Sequence, residues 1–231
     1  MNAVLTLTSF TPGEAERITG VSTAQQRDWR RRGFLPSNEG HARFDLFSMA
    51  EMWVLKLMAD RGIGPQAVKE VAGTCATGIA WHALAWGDAY EGDHERTLEW
   101  QPSVFKVIVE NLRRGKEAMA QYEADPKPEN LIAALDASNG PSWGEQANWL
   151  RRKVLKDRGI PLAIPGKYFI WWADGREYWH ESLDEAFKSM SSTDDRVAGP
   201  VVVLDLSGLA SAMIHRAERA LVHVEIEADT S

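Results

Sequence analysis

Val21-Ser-Thr-Ala-Gln-Gln-Arg-Asp-Trp-Arg-Arg-Arg-Gly-Phe-Leu-Pro36 is the stretch that decides how the rest of the chain is read. Ser22 suits a helix N-cap, the helix runs to about Arg32, and Gly33 ends it as a left-handed cap. Four arginines, Arg27, Arg30, Arg31 and Arg32, lie within six positions beside a single acid, Asp28, and Gln25 and Gln26 share the helix. Side chains of these types hydrogen-bond base edges and phosphates in a DNA major groove. An arginine-rich helix on its own is more often a solvated face than a DNA reader, so its neighbours matter.

Upstream, Thr11 precedes Pro12 and Glu14 lies three residues after Thr11. That is an N-cap, a proline at the first helical position and a capping-box acid. A helix Pro12–Thr19 follows, with Ala15 and Ile18 inward and Gly20 at its end. Two short helices joined by such a turn make a helix-turn-helix. Before it, Val4, Leu5 and Leu7 alternate partly with Thr6 and Thr8, as a short strand or an ordered arm. Downstream, Phe34 and Leu35 pack on the helices and Pro36 forces an extended exit. Polar residues around Gly40 and a returning strand Ala42–Phe44 suit a wing, the small hairpin beside a recognition helix. A helix Leu46–Arg61 stopped by Gly62, and a short helix from Pro65 to Ala72, complete the unit.

In this order and spacing the first 72 residues resemble the MerR family of winged-helix regulators. The resemblance rests on Thr11-Pro12-Gly13-Glu14, Gly20-Val21-Ser22 at the turn, Arg27 in the second helix and Gly33-Phe34-Leu35-Pro36. It continues through Arg43-Phe44 after a glycine-containing wing and Asp60-Arg61-Gly62-Ile63 before the last helix. Where the family carries Arg-Tyr-Tyr-Glu, this chain has Arg27-Asp28-Trp29-Arg30. The resemblance implies a homodimer that binds a pseudo-palindromic operator in double-stranded DNA, with two recognition helices in successive major grooves. The expected DNA-binding residues are Ser22, Thr23, Gln25, Gln26, Arg27, Arg30, Arg31, His41 and Arg43. Of these, Gln25, Gln26, Arg27 and Arg30 are expected to face the groove, and Arg31 and Arg43 to meet phosphate. Trp29 is expected to pack beneath the helix.

The net charge of −7 does not oppose this, because residues 1–72 hold nine Lys or Arg against eight Asp or Glu. The acid is concentrated in the remainder, and affinity for phosphate depends on local basic groups. No apolar run approaches the length needed to span a bilayer. The start of the chain has neither the basic segment nor the cleavage site of a signal peptide, so a cytoplasmic location is the default. Cys75 is the only cysteine, which excludes an internal disulfide and a cysteine-based metal cluster. The histidines lack ligand spacing, so neither a metal nor another cofactor is expected. No nucleophile elbow, phosphate loop or paired catalytic acids point to an enzyme.

Residues 73–158 read as a helical connecting and dimerisation region. Gly73-Thr-Cys-Ala-Thr-Gly78 is expected to interrupt the chain before a helix in Ile79–Ala89. The longest helical pattern, Val104–Glu123 capped by Ser103, lacks the three or four clean heptads of a coiled coil. Asp125–Pro128 breaks it, and a short helix around Asn130–Ala137 follows. Ser142 and Glu145 then form a capping box for a helix reaching Arg158. Its basic end, Arg151, Arg152, Lys153, Lys156 and Arg158, suits a solvated face or, alternatively, a secondary contact to the DNA backbone.

Residues 159–231 read as a small α+β domain of hairpin, helix, strand, helix and strand. Gly159–Gly166 has linker character, and Asp174-Gly175 suits a tight turn between two aromatic-rich strands. Ser182 and Glu185 begin a helix to about Met190, PVVVLDL is a buried strand, a helix runs from Ser207 to about Ala220, and LVHVEIE is an alternating strand. Trp171, Trp172, Tyr178 and Trp179 either line a site for a small-molecule or protein effector or face the core on one side and a neighbouring element or subunit on the other. The fold class is thus a mainly α winged helix-turn-helix, a helical middle and a small α+β domain. The function expected is that of a sequence-specific transcriptional regulator. The alternatives are a phage- or plasmid-type architectural factor for recombination or packaging, and a protein-interaction module without DNA.

Overall fold

Thr11 caps the first helix as its spacing to Glu14 predicts. In the computed structural model, which describes residues 2–36, 41–94, 102–132, 143–161, 164–188, 190 and 193–227, helix α1 spans Pro12–Thr19. The Thr11 hydroxyl accepts from the Glu14 N–H, and the Glu14 carboxylate accepts from the Thr11 N–H at 2.7 Å. Two otherwise orphaned amides are satisfied reciprocally. Gly20 closes α1 at φ 74°, a left-handed conformation that costs other L-residues about 1–2 kcal/mol. Helix α2, Thr23–Arg31, starts at Ser22, whose hydroxyl accepts from the Gln25 N–H. It ends where the Phe34 N–H returns to the Trp29 carbonyl at 2.8 Å past a left-handed Gly33.

Helix α3, Leu46–Ala59, opens on a second reciprocal cap between Asp45 and Ser48. It is buried over most of its circumference, as expected of a helix apolar on nearly every side. Ile18, Trp29, Leu35, Met49, Met52 and Leu55 form the core beneath the helix-turn-helix. Trp29 is 4% exposed, inward as expected.

Helix α4, Pro65–Ala83, runs unbroken through Gly73 and Gly78, which corrects the expected break at these residues. A Cβ on Gly78 would meet Leu206 Cδ1 at 2.4 Å and Trp179 Nε1 at 3.3 Å. The glycine marks where another helix presses on α4, and the buried helical surface outweighs its poor propensity. The expected helix Ile79–Ala89 is therefore the end of α4 followed by a 3-10 turn at Gly87–Ala89.

Strand β1, Asn2–Leu7, pairs antiparallel with β6, Val222–Glu227, and the short strand β2, Tyr90–Gly92, pairs parallel on its other side. Helix α5 covers Pro102–Ala124, so Ser103 lies inside its first turn instead of capping it. A short helical segment follows at residues 128–132. The remainder of the helix expected to Ala137, and the expected cap at Ser142, lie outside the described residues. Helix α6 is Trp143–Asp157. Strands β3, Tyr168–Trp171, and β4, Glu177–His180, form the hairpin with Gly175 at φ 89°.

Helix α7, Leu183–Lys188, is followed by β5, Val202–Asp205, and by helix α8, Leu206–Ala217. The second sheet has the order β4-β3-β5 and is antiparallel throughout. Two expectations change here. Strand β5 is not buried, because it is the outer strand and Val203 is 40% exposed. Strand β6 leaves this sheet for β1, since its alternating apolar face, Val222 and Val224, completes the core beside Leu221 and Tyr90.

One buried cluster continues from Phe10 through α3 and α4 to Leu206, Met213 and Val224. The remaining cluster is small: Ile170, Trp172 and Ala186 beneath α7. Within the hairpin, Trp171 and Trp179 pack against the main core, Trp172 meets the Phe187 ring at 5.1 Å, and Tyr178 stays exposed.

Candidate nucleic-acid interface

With Trp29 and Gln26 turned inward, the helical period sends Ala24, Arg27 and Arg31 to the opposite face of α2. All three are exposed. Arg31 pairs with Asp28 at 2.5 Å, and Arg32 reaches the other oxygen of the same carboxylate at 3.6 Å. Arg32 also lies over the Phe34 ring at 5.1 Å. Among the described residues, Arg27 has no acidic partner, so its whole fork of donors is free. Arg30 is half-buried, with its Nε enclosed and unbonded. Four arginines thus present unequal charge: Arg27 is unopposed, while Asp28 is shared by the two at the end of the helix.

The first turn of α2 is held from below. The Thr23 N–H donates to the Glu16 carboxylate at 3.0 Å, so a carboxylate already occupies one amide at the helix N-terminus, where an anion is favoured. Ser22 is exposed and Gln25 partly so.

The expectation that Gln26 faces the groove is corrected. Gln26 is 1% exposed and its amide nitrogen donates to the carbonyls of Pro12 at 2.9 Å and Val21 at 2.8 Å. Two carbonyl partners settle which end of the side chain is the nitrogen. The residue ties the start of α1 to the turn before α2, and no donor is left for a base. Its place on the helix, one turn before Arg30 and three residues before Trp29, carried the warning, since Trp29 marks the inner face.

Beside α2 the chain returns as a single antiparallel bridge, with Phe10 and Phe44 exchanging hydrogen bonds at 2.8 and 3.0 Å. Residues 37–40 of the expected wing lie outside the described residues. His41 and Arg43 are exposed at its base, and Arg43 donates to the Ala42 carbonyl at 3.3 Å.

Residues 10–74 match the family model described as MerR HTH family regulatory protein. The amino-terminal unit is a MerR-type helix-turn-helix. A unit of this kind suggests DNA-binding transcriptional regulation. No curated protein and no solved structure matches the chain. The match ends within α4.

The rest of the chain grips the reader. Arg17 of α1 pairs with Glu218 at 2.9 Å and donates to the Arg216 and Ala217 carbonyls at the end of α8. Arg216 returns to the Ile18 carbonyl at 3.0 Å and lies over Trp53. Arg219 pairs with Glu14 and covers Phe10. Sequence alone did not point to these three arginines, because their partners lie some two hundred residues away.

The basic end of α6 is also largely accounted for within the chain. Arg151 stacks on Trp81 at 3.7 Å, Lys153 pairs with Asp157, and Arg158 pairs with Asp45 at 2.5 Å while lying over Phe47. Cys75 is buried, which pushes its thiol well above the ordinary value; a thiol held protonated is neither nucleophile nor ligand. No described helix is long and apolar enough to cross a membrane.

Proposed function

We propose that the protein is a sequence-specific transcriptional regulator that binds a pseudo-palindromic operator as a homodimer. The observation that carries this reading is Arg27, unopposed on the outer face of the second helix of a MerR-type helix-turn-helix. In this reading Arg27 enters the major groove, with Gln25 and Arg30 at its flanks. Ser22, Thr23, Arg31, His41 and Arg43 lie along the neighbouring phosphates. A bidentate contact from Arg27 to guanine is worth about 1–3 kcal/mol of discrimination. Two copies place their α2 helices about 34 Å apart, one turn of the duplex.

The test joins genome-wide mapping of bound DNA to the solution mass and to a salt titration of the purified chain. Discrete promoter sites of two-fold symmetry, and binding that weakens steeply with salt and is abolished by Arg27→Ala with Arg30→Ala, support the regulator. Wild-type protein with no salt-sensitive DNA binding overturns it, and occupancy confined to attachment or packaging sites makes it an architectural factor instead.

A further inference from the structure

Strand β5 is the outer strand of its sheet, and its free edge faces a groove instead of open solvent. Leu206 donates to the Lys167 carbonyl at 2.8 Å, and Asp205 stands opposite Tyr168. Bonded pairs alternate along an antiparallel ladder. Val202 and Leu204 therefore bond to β3, while the N–H and C=O of Val203 point away from it. One wall of the groove is Leu57, Met58 and Ile63, from the end of α3 and the turn after it; the other is Val202, Leu204 and Leu209. The space between encloses about 530 Å³. Arg61 lines it and donates to the Leu57 carbonyl of its own helix end, with no acidic partner among the described residues.

Three features converge: apolar walls, a cation with no acidic partner among the described residues (Asp205, which also lines the groove, accepts from the Gly208 N–H), and backbone groups aimed into the space. A small organic molecule uses the first two and leaves the Val203 amide and carbonyl unmatched. A strand uses all three, since an extended segment alternates its side chains and offers main-chain donors and acceptors along its edge. A second copy arriving edge to edge would bring its own α3 end into the same space. We propose that this groove takes an extended peptide segment of a partner protein. The segment adds to β5 as a fourth strand, with apolar side chains at alternate positions and an acidic residue at Arg61. Such a segment touches the reader's α3 on one side and, on the other, α8, whose far end holds α1 through Arg17 and Arg216. Its effect on DNA rests on the proposed function; its binding does not.

Fluorescence anisotropy on the full chain without DNA tests the binding. The probe is a labelled, capped heptapeptide Thr-Val-Thr-Val-Thr-Val-Glu, beside a version ending in Gln and one N-methylated at alternate backbone nitrogens. The Glu probe is expected to saturate. Replacing its acid by Gln, or Arg61→Ala, is expected to weaken it by up to about fivefold, the range of a partly exposed ion pair. N-methylation or Val203→Pro is expected to abolish binding. Proline at 203 removes an N–H outside the ladder, where edge strands tolerate it; circular dichroism checks the fold, and Val203→Lys repeats the test without altering the backbone. The proposal is overturned if no probe binds the wild type up to about millimolar concentration. It is equally overturned if the N-methylated probe binds as well as the parent, which marks a small-molecule pocket. A dimer that Val203→Pro dissociates would give the edge to a second copy.

Discussion

Gly78 of α4 and Leu206 of α8 approach so closely that a Cβ on the glycine would lie 2.4 Å from the leucine Cδ1. Leu206 is fully buried and begins α8 directly after the Asp205 cap, so it has little freedom to retreat. The helix-breaking residue is thus the point where the long helix behind the reader receives the α+β part of the chain.

Gly78→Ala is expected to destabilise the protein by about 1–2 kcal/mol, because overpacking outweighs the propensity that alanine gains in a helix. Gly73→Ala is the control on the same helix. Its nearest neighbour would be Glu51 Oε1 at 3.8 Å, an ordinary contact, and the substitution is expected to stabilise by about 0.5–1 kcal/mol. Urea unfolding monitored by circular dichroism should move the two midpoints in opposite directions with unchanged slope.

Gln26→Ala should act on stability and leave base preference alone. It leaves the carbonyls of Pro12 and Val21 without the amide that serves them, a loss of about 1–3 kcal/mol. Thermal melting should fall accordingly, while selection from a random duplex pool at a temperature where the variant is folded should return the wild-type sequence. A changed preference would put Gln26 back in the groove.

Asp28 restrains two of the four arginines of α2 and its C-cap, Arg31 and Arg32. Asp28→Asn is therefore expected to tighten non-specific DNA binding and to steepen the dependence of log K on log salt by about 1, the contribution of roughly one further phosphate contact. Stability should change by less than about 0.5 kcal/mol, as is usual for exposed pairs. A salt titration on random duplex decides it.

Much of the reader was legible in the sequence because its signals are local. Thr11 with Glu14, Ser22 and Gly33 act within a few residues, so spacing alone places α1, α2 and their ends. The side chains were less legible. Gln26 has the chemistry of a base reader, yet it is spent on two carbonyls that only the folded turn brings together. Beyond Ala72 the legible parts were again local, such as the Asp174-Gly175 hairpin, while the partners of β6, the close contact at Gly78 and the grip of Arg216 depend on distant segments. Strand β6 alternates whether it joins β3 or β1, and no pattern within it chooses.

Burial holds the Glu51 carboxyl above its ordinary value of 4.5, with Asp45 adding to the effect and Arg158 and Lys69 opposing it. An acid whose folded pKa is raised penalises the folded state once it ionises. Its contribution to stability therefore falls as pH rises from 4.5 through the folded pKa. Glu51→Gln is expected to raise the melting temperature at pH 7 and to leave it nearly unchanged below pH 4.5, where both forms are neutral. A variant equally stable to wild type at both pH values would refute the assignment.

The pairing of Leu7 with Val222 and of Asn2 with Glu227 carries a consequence for biosynthesis. The strand that leads into the reader is made well before its neighbour, which begins only at Val222. At roughly 5–20 residues per second, β1 waits on the order of 10–40 s with both edges unpaired. Until then Arg17 and Glu14 of α1 also lack Glu218 and Arg219. The nascent chain thus holds α2 long before it holds the contacts that fix α1, and those arrive only with the segment that closes the first sheet.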